Sequence, residues 1–111
     1  MIDWKLVDAP KWEAMDRLKP MLDGYRSHQH EVYIGVTSEP VLRWNQHVAE
    51  NWTRMVVVYE ALNSKIAIAL ERDLIDYARR CNFKKKIANL GDGGEGIRGS
   101  GGERYLYFLL R

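Results

Sequence analysis

Cysteine is almost absent: Cys81 stands alone in 111 residues. One thiol cannot form an internal disulfide, which excludes a stapled secretory scaffold and any cysteine-based structural zinc site. Long apolar runs are missing as well. Nothing approaches the roughly 20 uninterrupted apolar residues of a membrane span, and Asp3 and Lys5 around Trp4 leave no apolar signal region at the start. The expectation is a soluble, unprocessed cytoplasmic protein with no membrane partner. Net charge is small too. At +2 it names no partner, since nucleic-acid-binding domains are usually more basic and carry their charge in patches. Neither an internal repeat nor a second domain is visible, so residues 1–111 read as one domain with one core.

What is present is 46% hydrophobic residues in short, patterned segments. Asp8 ahead of Ala9 and Pro10 reads as an N-cap with an early helical proline. Trp12, Met15 and Leu18 follow at helical spacing, predicting a helix near 9–19 that Pro20 and Gly24 end or kink. After the polar stretch Ser27 to His30, the run Val32-Tyr33-Ile34-Gly35-Val36 reads as a strand. Ser38 can cap a second helix over 39–51, with Pro40 in its first turn and Val41, Trp44, Val48 and Trp52 as its stripe. Met55 to Tyr59 is β-branched without polar interruption, which predicts a strand buried on both faces. Asn63 or Ser64 caps a third helix reaching about Cys81, with Ile66, Leu70, Leu74 and Tyr77 in its stripe. From Gly91 to Gly102, seven of twelve residues are glycine, a composition for a flexible loop or a close-approach site. The apolar, aromatic Tyr105 to Leu110 reads as a strand returning to the core.

Candidate chemistry starts at Glu71. At about 100° per residue it projects between Ala78 and Ile75 on the apolar arc of the third helix. A carboxylate there needs a partner, because an unpaired buried charge is costly. A metal ion is one such partner, and an arginine pair or a wet edge of the core is the other. Arg43 and His47 share a helix face at i and i+4 beside Trp44, a pairing that surface helices also show. Arg79, Arg80, Lys84, Lys85 and Lys86 put five cations into eight residues. They suit phosphate contacts and equally suit a solvated helix end whose cations favour the negative dipole terminus.

Taken in order, Tyr33-Ile34-Gly35, Thr37, Arg43, His47, a valine-rich strand, Glu71 and Asn89 ahead of a glycine-rich segment resemble the signature of the GIY-YIG nuclease superfamily. The likeness is to the catalytic domain of GIY-YIG homing endonucleases and spans about residues 32–96. It implies a metal-dependent endonuclease hydrolysing phosphodiester bonds, in DNA rather than RNA, with a homodimer or a separate targeting partner to supply specificity. By resemblance, Glu71 holds one Mg²⁺ or Mn²⁺, and Arg43 stabilises the reacting phosphate. Tyr33 orients or deprotonates water with help from His47 or Tyr107. Gly35, Thr37 and Asn89 support the site.

One motif is absent: no Gly-Ile-Tyr precedes Tyr33, and Gly24-Tyr25-Arg26 lies on a polar stretch. The C-terminal Tyr105-Leu106-Tyr107 is the better source of the missing tyrosine, and it predicts a permuted sheet with the C-terminal strand replacing the GIY strand. Tyr107 takes the vacant role, with Tyr105 and Tyr25 as alternatives. The expected fold is α+β, with a small, mainly antiparallel three-stranded sheet flanked by helices. A catalytically weak or inactive nucleic-acid-binding module of the same fold, or a protein-interaction domain, are the competing readings.

Overall fold

The computed structural model describes residues 1–80, 87–89, 102 and 104–111. It is α+β. The elements run β1 (Ile2–Trp4), α1 (Lys11–His28), β2 (Val32–Thr37), α2 (Pro40–His47), a 3₁₀ turn (Val48–Glu50), β3 (Arg54–Glu60), α3 (Ser64–Arg80) and β4 (Tyr105–Leu110). The strands form one sheet in the order β1-β3-β4-β2. The three-stranded, mainly antiparallel sheet expected from sequence is therefore corrected to a four-stranded mixed one. β4 is antiparallel to both neighbours, and β1 pairs in parallel with β3. Three partly exposed residues with Asp3 in their centre carry no alternation signal. β1 forms because β3 otherwise presents an open edge. Lys5 N–H and Val7 N–H donate to the carbonyls of Val57 and Val58 at 2.9 and 2.8 Å.

Because β4 is interior and both sheet faces are covered, its run has no polar interruption. Leu106, Phe108 and Leu110 join Ile34, Val36, Val56 and Val58 on the face that packs against Ala14, Leu18 and Leu22 of α1 and Leu70, Leu74 and Ile75 of α3. Tyr107 and Leu109 face the other way, with Met55, Val57, Trp44 and Trp52. Each large aliphatic or aromatic side chain buried here stabilises the fold by about 1.5–3 kcal/mol.

The first helix is longer than its sequence suggests. It starts at Lys11 with Pro10 as N-cap and no side-chain capping bond, so Asp8 is not the cap. It runs through Pro20 and Gly24 to His28. Pro20 lacks the N–H that would reach the Asp16 carbonyl, but both residues are exposed, so water can serve that oxygen. The buried stripe Ala14, Leu18, Leu22 and Arg26 carries the helix past the proline. Its last member hides the pattern in the sequence: Arg26 is buried and donates Nη2 to the Ala78 carbonyl at 3.1 Å, tying α1 to α3.

At α2 the N-cap is Glu39, not Ser38, and Val41 and Val48 are exposed, leaving Trp44 and the later Trp52 as the buried members of the expected stripe. Asn51, at φ 70°, takes the left-handed conformation that ends the 3₁₀ turn. At α3 the expected cap is in place: Ile66 N–H donates to Asn63 Oδ1 at 3.0 Å. Cys81, Lys84, Lys85 and Lys86 and all of the glycine-rich segment except Gly102 lie outside the described residues.

Candidate functional site

Strand parity and register gather the site. In the β2–β4 ladder Tyr33 is opposite Leu109 and Gly35 is opposite Tyr107, so Tyr33, Gly35 and Tyr107 share one face. The Tyr107 ring lies across Gly35, where a Cβ would sit 2.5 Å from both Cζ and Oη. A glycine at this register position is what admits the ring. The Tyr33 ring centroid is 6.4 Å from Tyr107, 5.7 Å from His47 and 6.1 Å from Trp52, and His47 is 5.9 Å from Tyr107. Four rings thus meet where the C-terminal end of α2 overlies the β2–β4 pair.

Polar groups link these rings. His47 Nε2 is 3.0 Å from Tyr107 Oη, and His47 Nδ1 is 2.9 Å from Glu50 Oε1. Tyr107 is 1% exposed. Burial pushes its phenol well above the ordinary tyrosine range, and the neighbouring Tyr33 adds to this. Arg43 pulls the other way, and the carboxylates of Glu71 and Glu50 push it up further. The Tyr107 hydroxyl is therefore where the charges of Arg43 on α2 and Glu71 on α3 are both felt. Glu71 is 7% exposed on the buried arc of α3, as its spacing predicts.

Asn89 acts on the backbone. Its Oδ1 accepts from Ile34 N–H at 2.9 Å and its Nδ2 donates to the Ile34 carbonyl at 2.7 Å, while Ala88 N–H donates to the Val32 carbonyl at 2.8 Å. These contacts close the outer edge of β2 and hold the strand that carries Tyr33 and Gly35. Buried Thr37 accepts from Glu39 N–H at 3.1 Å through Oγ1 and shapes the entry to α2.

The three tyrosines open to the missing role separate cleanly. Tyr25 packs edge-to-face on Phe108 at 6.1 Å, among the residues of the α1–α3 face. Tyr105 packs edge-to-face on Trp4 at 5.9 Å. Tyr107 is the one beside Tyr33 and His47. Of the basic residues described, Arg80 pairs with Asp76 at 3.2 Å and Arg79 donates to the Asn89 carbonyl at 3.3 Å, both on the surface.

Two further contributors went unnoticed in the sequence. Glu50 follows His47 by three residues, an i,i+3 relation that was legible. Arg111 stacks on Trp52 at 4.1 Å, pairs with Glu31 at 2.6 Å and donates to the Glu50 carbonyl at 2.7 Å. No local pattern announces either of those partners. Together with Tyr33, His47 and Ala88 these side chains line an open cavity of about 430 Å³ beside the rings.

No cluster of three or more histidine, cysteine, aspartate or glutamate side chains suited to a metal exists among the described residues. The buried carboxylate whose charge reaches the Tyr107 hydroxyl is Glu71. That fits a hard divalent ion holding most of its ligands as water and phosphate oxygens, and does not fit an all-protein cage. No family model, curated protein or solved structure matches this chain. Among the described residues, no helix is long and apolar enough to cross a membrane.

The direction of the Tyr107 shift has a consequence for stability. The folded protein keeps a proton that the unfolded chain releases above about pH 10. The contribution is complete below that pH and is lost as pH rises toward the folded value. Wild-type stability should therefore fall above pH 10 by about 1.4 kcal/mol per pH unit more than that of Tyr107→Phe. Urea unfolding of both proteins from pH 8 to 11 checks this, and parallel curves would refute it.

Proposed function

We propose that this chain is a divalent-metal-dependent endonuclease that hydrolyses phosphodiester bonds in DNA. Its catalytic domain would be GIY-YIG-like, with the β4 tyrosine in the place of the family's first one. The observation that carries the reading is the convergence of Tyr33, Gly35, His47 and Tyr107 on one sheet face, with the charges of Arg43 and Glu71 acting on the same hydroxyl. Tyr33, His47 and Tyr107 come from three different elements and meet at one point, which supports this reading.

Glu71 would hold one Mg²⁺ or Mn²⁺. Such an ion, when bound, neutralises charge on the leaving oxygen and the pentacovalent phosphate. Arg43 presents a planar fork of donors to the non-bridging phosphate oxygens. Tyr33, partly exposed, orients the attacking water. Tyr107 stays protonated and serves as a fixed hydroxyl rather than as a base, because its burial disfavours the phenolate. A second DNA-binding element, a partner or a second copy of the chain would supply specificity.

A second reading draws on the 1% exposure of Tyr107, which shields its hydroxyl from bulk water. On that reading the chain is a nucleic-acid-binding module that keeps the fold without productive chemistry. Incubating supercoiled plasmid with the protein in Mg²⁺ and in EDTA separates the two. Nicking that needs Mg²⁺ supports the nuclease, and binding without nicking supports the module.

Within the nuclease reading, Arg43→Lys keeps the charge and loses the bidentate fork. Single-turnover cleavage should fall by roughly tenfold, about 1.4 kcal/mol, while oligonucleotide affinity changes little. Equal losses in rate and affinity would place Arg43 outside the reacting centre.

A further inference from the structure

His47 stands between a hydroxyl and a carboxylate. Its Nε2 is 3.0 Å from Tyr107 Oη and donates or accepts according to its tautomer. With the imidazole proton on Nε2, His47 donates to Oη, and its bare Nδ1 faces the Glu50 carboxylate, acceptor against acceptor. With the proton on Nδ1, Nε2 accepts from Tyr107, and Nδ1–H meets an acceptor. A free neutral imidazole favours the first arrangement, so the second needs a group that holds it.

Glu50 is placed to do so. Its carboxylate lies 2.9 Å from Nδ1 and, when ionised, can only accept. The residue is not a loose surface acid. Its carbonyl is held by Arg111 Nη1 at 2.7 Å, and the turn behind it is closed by Asn51 in the left-handed conformation. We infer that Glu50 is a positioning residue: it fixes His47 as the Nδ1–H tautomer, and through it makes the Tyr107 hydroxyl the donor of the bond to Nε2. The geometry is a carboxylate–imidazole–hydroxyl chain in which each member sets the next. Its catalytic meaning rests on the nuclease reading above, whereas the tautomer does not.

The side chain of Glu50 is 61% exposed, so solvent screens its charge and its loss should act on orientation more than on stability. Glutamine can still accept from Nδ1–H through its amide oxygen, whereas alanine cannot. The test is the ¹⁵N spectrum of histidine-labelled protein, with the signals of His47 assigned by His47→Gln and read at a pH where the ring is neutral. Wild type and Glu50→Gln should carry the proton on Nδ1, and Glu50→Ala should move it to Nε2. With Mg²⁺ and plasmid, Glu50→Ala should lose about tenfold in kcat at little-changed KM, and Glu50→Gln should recover most of it. A wild type with the proton on Nε2, or a folded Glu50→Ala that keeps it on Nδ1, overturns the inference. A wild type with the Nδ1–H tautomer that cleaves nothing overturns the nuclease reading alone.

Discussion

Glu71→Gln should leave a folded protein that no longer nicks plasmid in Mg²⁺. The substitution is isosteric and preserves an acceptor oxygen, so the packing of α3 against the sheet is kept. Only the charge is lost. Removing the carboxylate that would hold the ion withdraws several kcal/mol of transition-state stabilisation, a loss of roughly a thousandfold or more. A melting curve on the same sample establishes that the variant is folded. Full activity in a folded Glu71→Gln protein would remove the metal assignment.

The sequence carried the elements that are continuous and periodic, and lost those that depend on a distant partner. β2, β3 and β4 are apolar runs because both sheet faces are covered, and α3 shows its stripe and its Asn63 cap. β1 has three residues and exists only as an addition to β3. The second half of α1 was hidden by Pro20, which is harmless on an exposed face, and by Arg26, which occupies a core position by bonding to α3. The site divides the same way. Tyr33, Gly35, Arg43, His47 and Glu71 stand at spacings that could be read. The nearness of Tyr107 was anticipated because a strand was missing upstream and an apolar strand was available at the end of the chain. Glu50 was passed over because an acid on a short exposed turn resembles any solvated residue until His47 is seen to face it. The role of Arg111 comes only from the β2–β4 pairing that brings it over Trp52.

Gly35→Ala is the sharpest test of that pairing, and it should both destabilise the protein and silence the site. The new Cβ would lie 2.5 Å from Tyr107 Cζ and Oη and 3.0 Å from Cε1, against the roughly 3.5–4.0 Å at which carbon atoms attract. The ring has nowhere to go, since it is packed among Trp44, Met55, Val57 and Leu109. Alanine is the better residue for an ordinary strand by about 0.5–1 kcal/mol, so the backbone alone would make the change favourable. Overpacking works against it by about 1–3 kcal/mol and should win, because the obstacle is a rigid aromatic ring rather than a flexible chain end. Whatever shift relieves the clash moves Oη off His47, so cleavage should fall along with stability. Tyr107→Leu removes the obstacle. Adding Gly35→Ala to it should cost little, giving a coupling of about 1–3 kcal/mol in a double-mutant cycle measured by urea unfolding. A Gly35→Ala protein as stable as wild type, additive with Tyr107→Leu, would mean that the Tyr107 ring does not lie across β2, and the site built around that hydroxyl would go with it.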